Sequence, residues 1–199
     1  MPHVAPLDRS ELPEFEDFFK RYDEIRGFLP NSILTMGRRP EIAKAFMALN
    51  QAVIYEGTVP EALKMMVAYM TSMATGCRYC QSHMANLSSV YDVSYEKIQA
   101  VWDCSNSVLF TDAEKAVLEL ARVAAAVPNA AETHHFDAVK QHFNDAEIVE
   151  IVGTIALFGY LNRWNDTMAT TLEDYPRSVA KRAIGPVGWD AGKHTKETS

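Results

Sequence analysis

The chain has 199 residues, 48% of them hydrophobic and 23% charged, which excludes disorder and suits one folded domain with a sizeable core. Its formal net charge is −7, and no run of Lys or Arg breaks that balance, so a nucleic-acid surface is not expected. The longest apolar-rich segment, residues 147–164, is interrupted by Glu147 and Glu150 early and by Asn162 and Arg163 late. It reads as a buried helix rather than a membrane span.

Residues 1–13 read as an irregular arm punctuated by Pro2, Pro6 and Pro13. They lack a basic stretch followed by an apolar core, so no secretory signal is predicted and a cytoplasmic location is expected. There, thiols stay reduced unless they turn over. Helix signals begin near Glu14 and run to Arg26, where Gly27 and Pro30 stop them. Residues 38–57 open on Pro40 and carry Ile42, Ala45, Phe46, Leu49 and Val53 at helical spacing, ending at Gly57. Residues 58–76 repeat this grammar, with Thr58 as cap, Glu61 three residues on and Gly76 as terminator.

Residues 77–92 predict a further helix, and Ser94 begins a short one through Trp102. Thr111 and Glu114 form a capping-box pair for the next, which Pro128 ends. Residues 134–143 read as a short helix, and residues 144–173 as one long helix or two broken near Gly159. The last dozen residues read as a frayed tail. No segment alternates like a strand, so the predicted class is all-α. The predicted organisation is an arm over 1–13, a helical domain over 14–185 and a tail over 186–199. Residues 63–83 can also be laid over 146–166, sharing Thr71/Thr154 and Gly76/Gly159, which would give two related helical hairpins.

Chemistry concentrates in residues 76–83, Gly-Cys-Arg-Tyr-Cys-Gln-Ser-His. If a helix starts at Cys77, then Cys77 and Cys80 lie in its first turn, where unpaired N–H groups and Arg78 favour thiolates. Residues three apart share a helix face, within the roughly 4.4–6.8 Å Cα separation a disulfide needs. His83, one turn on, can exchange a proton with Cys80. The polar neighbours Arg78, Gln81 and Ser82 favour an accessible helix start over a dry core. A metal site is the weaker reading, because the third cysteine, Cys104, is alone and His134, His135 and His142 supply no second ligand pair. No cofactor or metal is therefore expected. The apolar helix before the pair also separates it from a thioredoxin motif, which follows a strand.

A helical chain with an apolar helix followed by this motif resembles the AhpD-like family, which includes the alkyl hydroperoxide reductase D proteins and the carboxymuconolactone decarboxylases. Gly27–Asn31 (GFLPN), Gly76–His83 and residues 157–168 resemble its peroxidase-related members, so the resemblance spans most of 27–175. It implies a helical fold assembled as trimers or hexamers. It also implies a thiol–disulfide cycle that reduces hydroperoxides with electrons from a thiol or dithiol donor. In that cycle Cys80 would meet peroxide, Cys77 would resolve, and His83 would relay protons. The pattern departs at two places. The histidine comes three rather than four residues after the second cysteine, and Met65 stands where a relay glutamate is expected. Glu61 is one turn too far away, about 6 Å along the helix. Asp166 or Glu96 are the candidate replacements.

Two other functions fit the same chain: acid–base chemistry of the decarboxylase branch on a small cyclic acid, and a non-catalytic helical oligomer. Asn162, Arg163, Asn165 and Asp166 read either as a polar lining of the thiol site or as helix-cap and interchain bonds. Tyr79 reads as packing or as a donor to substrate. Cys104 and the methionines 65, 66, 70 and 73 read as core.

Overall fold

The computed structural model describes residues 1–195, and within them every regular element is helical. Ten α-helices follow in order: α1 (Glu16–Arg26), α2 (Asn31–Met36), α3 (Pro40–Ile54), α4 (Glu61–Thr75), α5 (Arg78–Val90), α6 (Tyr95–Gln99), α7 (Asp112–Ala124), α8 (Thr133–Val139), α9 (Asp145–Met168) and α10 (Asp174–Ala183). Short 3-10 turns lie between and beyond them, among them Arg9–Glu11, Val101–Asn106 and Gly192–His194.

α4 is the axis of the fold. Its residues Leu63 to Ser72 are all buried, among α5, α7 and α9. A helix hydrophobic all round has no solvent face to offer, which is why Met65, Met66 and Met70 pack as unbranched core filler. Each contributes on the order of 1.5–3 kcal/mol by leaving water. Lys64 is the exception within this run. It too is buried, and its Nζ pairs with Glu150 Oε2 at 3.0 Å and donates to the Glu56 carbonyl at 2.5 Å. Glu150 also accepts from the N–H groups of Thr58 and Val59, at 2.9 and 3.0 Å. Thr58 is therefore not the cap of α4; the helix begins at Glu61 behind Pro60, and Thr58 belongs to the Glu150 clamp. Gly57 permits that approach, since a Cβ there would lie 2.2 Å from the Glu150 carboxyl carbon.

The predicted start at Ser94 and the capping box at Thr111–Glu114 are present as bonds. Three expectations change. α9 runs unbroken from Asp145 to Met168, straight through Gly159, so the overlay on α4 and α5 does not produce a second hairpin. α2 and α10 are helices that the periodicity did not separate. The C-terminal segment is packed as far as it is described: Trp189 Nε1 donates to the Arg78 carbonyl at 3.2 Å, and His194 is buried with its carbonyl accepting from Leu172 N at 2.8 Å. Residues 196–199 lie outside the described residues. In the arm, Leu12 is buried against the core. No described helix is long and apolar enough to cross a membrane.

Candidate active site

The turn between α4 and α5 builds the site. Gly76 takes a left-handed conformation, φ +79°. Its N–H donates to the Met73 carbonyl and the Cys77 N–H to the Ser72 carbonyl, both at 3.1 Å, closing α4 in a Schellman motif. Two residues, Gly76 and Cys77, thus separate the two helices, and Cys77 becomes the N-cap of α5. Its Sγ accepts the Cys80 N–H at 3.4 Å. The sequence pattern therefore places Cys77 as a capping side chain and Cys80 one turn inside the helix.

Both cysteines are reduced and buried, 1% and 2% exposed, against the expectation of an accessible helix start. The polar residues around them turn inward or along the helix. Ser82 is fully buried, and Gln81 Nε2 donates to the Ser72 carbonyl at 3.1 Å. Burial pushes the Cys80 thiol well above its usual value, and the adjacent Cys77 sulfur adds to this. The amide of Asn165 on α9 works in the other direction, donating to Cys80 Sγ at 3.5 Å. Cys80 is thus a protonated thiol at rest, not the thiolate that helix position alone suggested.

One turn along α5 from Cys80 stands an imidazole–carboxylate pair. His83 Nε2 is 2.7 Å from Glu173 Oε2. Glu173 is the N-cap residue of α10, and its other oxygen accepts from Tyr79 Oη at 2.9 Å and from Asn31 N at 2.5 Å. Burial raises the Glu173 carboxyl, but His83 and the Asn31 N–H outweigh it and hold the group below the usual carboxylate range. Tyr79 stacks on the imidazole, ring centroids 4.3 Å apart, while Phe28 meets it edge-on at 5.4 Å. Tyr79 is kept neutral by burial and by the Glu173 charge.

The carboxylate in contact with His83 is Glu173, and position 65 contributes none. Met65 is core, 1% exposed, and Glu61 and Glu96 are exposed. Asp166 instead pairs with Lys193 at 2.9 Å and lies 3.6 Å from His194 Nε2. Of the polar group past the apolar run, Asn165 reaches Cys80, and Asn162 accepts from Ser72 Oγ at 3.0 Å. Cys104 is buried away from the pair, in the 3-10 turn after α6. His134 stacks on His135 at the exposed start of α8. Among the described residues, no cluster of three or more His, Cys, Asp or Glu side chains is placed to hold a metal ion.

A cavity of about 40 Å³ opens beside Cys80, and Cys77 does not line it. Its walls include Tyr22, Arg26, Phe46, His83, Phe158 and Asn165, drawn from α1, α3, α5 and α9. The arrangement presents one thiol to a small cavity, keeps a second thiol behind it, and sets His83 on the same wall with Glu173 bonded behind the imidazole. Those are the parts of a two-thiol redox cycle with proton transfer.

The profile of the carboxymuconolactone decarboxylase family matches residues 40–123. Two crystal structures of the debrominase Bmp8 are 34% identical and superpose with a TM-score of 0.84 over 90% of this chain. One, covered over 97%, is the apo protein; the other, covered over 96%, is a cysteine-to-alanine variant in complex with 2,3,4-tribromopyrrole. A peroxidase-related protein with an alkylhydroperoxidase AhpD core from Ralstonia eutropha is 23% identical. It superposes with a TM-score of 0.75 over 88% of this chain and 94% of its own, a likeness that bears on the fold. No curated protein sequence matches the chain significantly.

Proposed function

Because the chain belongs to the carboxymuconolactone decarboxylase family, in its AhpD-like form, we propose that it is a thiol–disulfide oxidoreductase that reduces hydroperoxides through Cys77 and Cys80. The observation that carries this reading is the pairing of Cys80, alone on the cavity wall, with Cys77 Sγ bonded to the Cys80 N–H behind it. His83, charge-balanced by Glu173, takes the Cys80 proton as substrate arrives. The thiolate attacks the distal peroxide oxygen and the O–O bond breaks. Cys80 becomes a sulfenic acid, and the alcohol leaves with the proton returned by His83. Cys77 then attacks the Cys80 sulfur, forming the disulfide and releasing water. A thiol or dithiol donor restores both thiols. As it stands, the cavity admits a molecule of hydrogen peroxide's size.

The likeness to a debrominase favours a second reading with the same machinery. The Cys80 thiolate attacks a ring-bound bromine and the carbon–bromine bond breaks. The ring carbanion is protonated from His83, and Cys77 displaces bromide from sulfur to give the same disulfide. The aromatic walls Tyr22, Phe46 and Phe158 suit a flat ring once they part. The decarboxylase branch needs neither sulfur, so the paired thiols weigh against it.

The test is to add one equivalent of hydrogen peroxide and count free thiols. Two should disappear together, leaving Cys104, and Cys80→Ser should abolish peroxide consumption with a thiol donor. Unchanged turnover in Cys80→Ser removes the mechanism. Bromide release from a bromopyrrole, without peroxide turnover, selects the second reading.

A further inference from the structure

A cation with no carboxylate partner among the described residues borders the cavity at Cys80. Arg26, the last residue of α1, lines it together with Tyr22, Asn50 and Cys80. Its Nη2 donates to Tyr55 Oη at 2.7 Å, and its guanidinium carbon sits 4.6 Å from the Tyr22 ring centroid. Its Nε is buried and has no hydrogen-bond partner. Arg9, Arg78, Arg122 and Arg177 each hold a carboxylate, whereas no carboxylate pairs with Arg26 among the described residues.

A guanidinium carries five N–H donors in a rigid fork shaped for carboxylates and similar anions. Leaving such a group partly desolvated and unpaired is costly, and an arriving anion recovers that cost. The charge is not needed to hold α1 in place, since Phe19 and Tyr22 already bury that helix against the core. Beside Arg26, Asn50 Nδ2 donates to Tyr22 Oη at 3.3 Å, and both residues line the cavity as polar wall. The remaining wall is apolar, from Pro30, Ile33, Phe46, Phe158 and Leu161. With its aromatic walls parted, as for the flat ring above, one cavity combines a cation, apolar walls for a ring or chain, and the Cys80 thiol.

Resting on the thiol reading above, we propose that Arg26 is the binding residue for an anionic group on the substrate. The substrate is then an organic acid, with a carboxylate or an ionised ring oxygen or nitrogen held at Arg26 and its reducible bond presented to Cys80. In this arrangement Arg26 sets which molecules bind, and the chemistry stays with Cys80, Cys77 and His83.

The test measures binding to the reduced protein, so it does not depend on turnover. Acetate and benzoate are titrated calorimetrically against acetamide and benzamide, their uncharged counterparts. 2,4,6-Trichlorophenolate serves as the ring-oxygen anion. At least one anion should bind about tenfold or more tightly than its neutral counterpart, the scale of one charge-assisted bond. For the phenolate the comparison is 1,3,5-trichlorobenzene. Which anion gains more tells a carboxylic from a ring-acid substrate. The same anion should slow methylthiolation of Cys80 by methyl methanethiosulfonate. Arg26→Met should remove both effects, and Arg26→Lys should keep the preference for the anion. Equal binding of charged and neutral probes by the wild-type protein overturns the proposal whatever the variants do. So does an anion preference that survives in Arg26→Met. If the anion binds but peroxide consumes no thiols, the binding residue stands and the redox reading falls.

Discussion

His83 Nε2 lies 2.7 Å from Glu173 Oε2, joining α5 to the start of α10 across 90 positions of sequence. The same carboxylate accepts from Tyr79 Oη and Asn31 N, so it fixes the imidazole while its own position is fixed from two other directions. Glu173→Gln keeps the size and removes the charge. It should lower the rate of disulfide formation with peroxide by about 10²-fold, the usual worth of a positioned proton acceptor. Glu173→Asp should recover part of it. Stopped-flow measurement of thiol loss checks this, and a Gln variant as fast as wild type would place the proton transfer elsewhere.

The same group gives a pH dependence of stability. Glu173 is held below the ordinary carboxylate range in the folded protein, despite burial. The stability it contributes is therefore fully present above its unfolded value, about 4.3, and is lost as pH falls through the lower folded value. Urea unfolding between pH 6 and pH 3 should show a smaller acid loss in Glu173→Gln than in wild type. Identical slopes in the two proteins would show that the carboxylate is not charge-coupled to His83.

Burial raises the Cys80 thiol well above its usual value. Without substrate, alkylation of Cys80 by iodoacetamide should keep rising past about pH 9, the region where an ordinary thiol has largely ionised. Asn165→Ala removes the one amide that favours the thiolate, and should slow alkylation at a given pH about fivefold, the worth of one hydrogen bond near 1 kcal/mol. Mass spectrometry of the Cys80 peptide reads both. A plateau already reached at pH 7 would contradict the protonated resting state.

What the sequence made legible was local. Cys77, Cys80 and His83 lie within seven residues, Gly76 ends α4 through its own backbone conformation, and Thr111 and Glu114 bond across three residues. Those relations depend on spacing alone. The contact between Glu173 and His83 depends on α9 ending at Ala169 in a left-handed turn and on the chain then crossing to Asn31, which no spacing encodes. A signal for α10 was nevertheless present. Pro176 follows the Glu173 cap at the first turn, and Val179, Ala180 and Ala183 then recur at helical spacing. Gly159 misled because it resembles Gly76 in sequence context. In the structure it lies on the exposed side of an unbroken helix, with nothing within 4 Å of where a Cβ would stand.

The pairing of Lys64 with Glu150 carries a stability prediction of its own. Lys64 has a side chain 1% exposed, and Glu150 also holds the N–H groups of Thr58 and Val59. Glu150→Ala leaves a buried ammonium and two backbone donors without their acceptor. It should cost about 3–5 kcal/mol, the range for breaking a buried ion pair from one side. Lys64→Met in the Glu150→Gln background should recover much of that loss. Chemical denaturation of the three proteins checks it, and a loss below about 1 kcal/mol in Glu150→Ala would mean that water replaces the carboxylate freely.

α9 also bears on assembly. Val149, Val152, Ala156 and Gly159 form an outward stripe at helical spacing, with Val149 70% and Val152 39% exposed. The stripe borders a groove of about 900 Å³ that Thr71, Ala124, Val127 and Phe136 also line. The outward face of a surface helix is ordinarily charged or polar, and exposed apolar side chains grouped in this way mark an interaction site. We propose that a second copy of the chain covers it, in line with the trimers or hexamers that the family resemblance implies. Val152→Asp would bury a carboxylate in such an interface, and should shift the protein toward monomers in light scattering coupled to size exclusion. The site lies on the other side of α9, at Asn165 and Phe158, so thiol loss with peroxide should persist in the dissociated protein. A wild-type chain that is monomeric at micromolar concentration would show that α9 carries its apolar stripe for some purpose other than self-assembly.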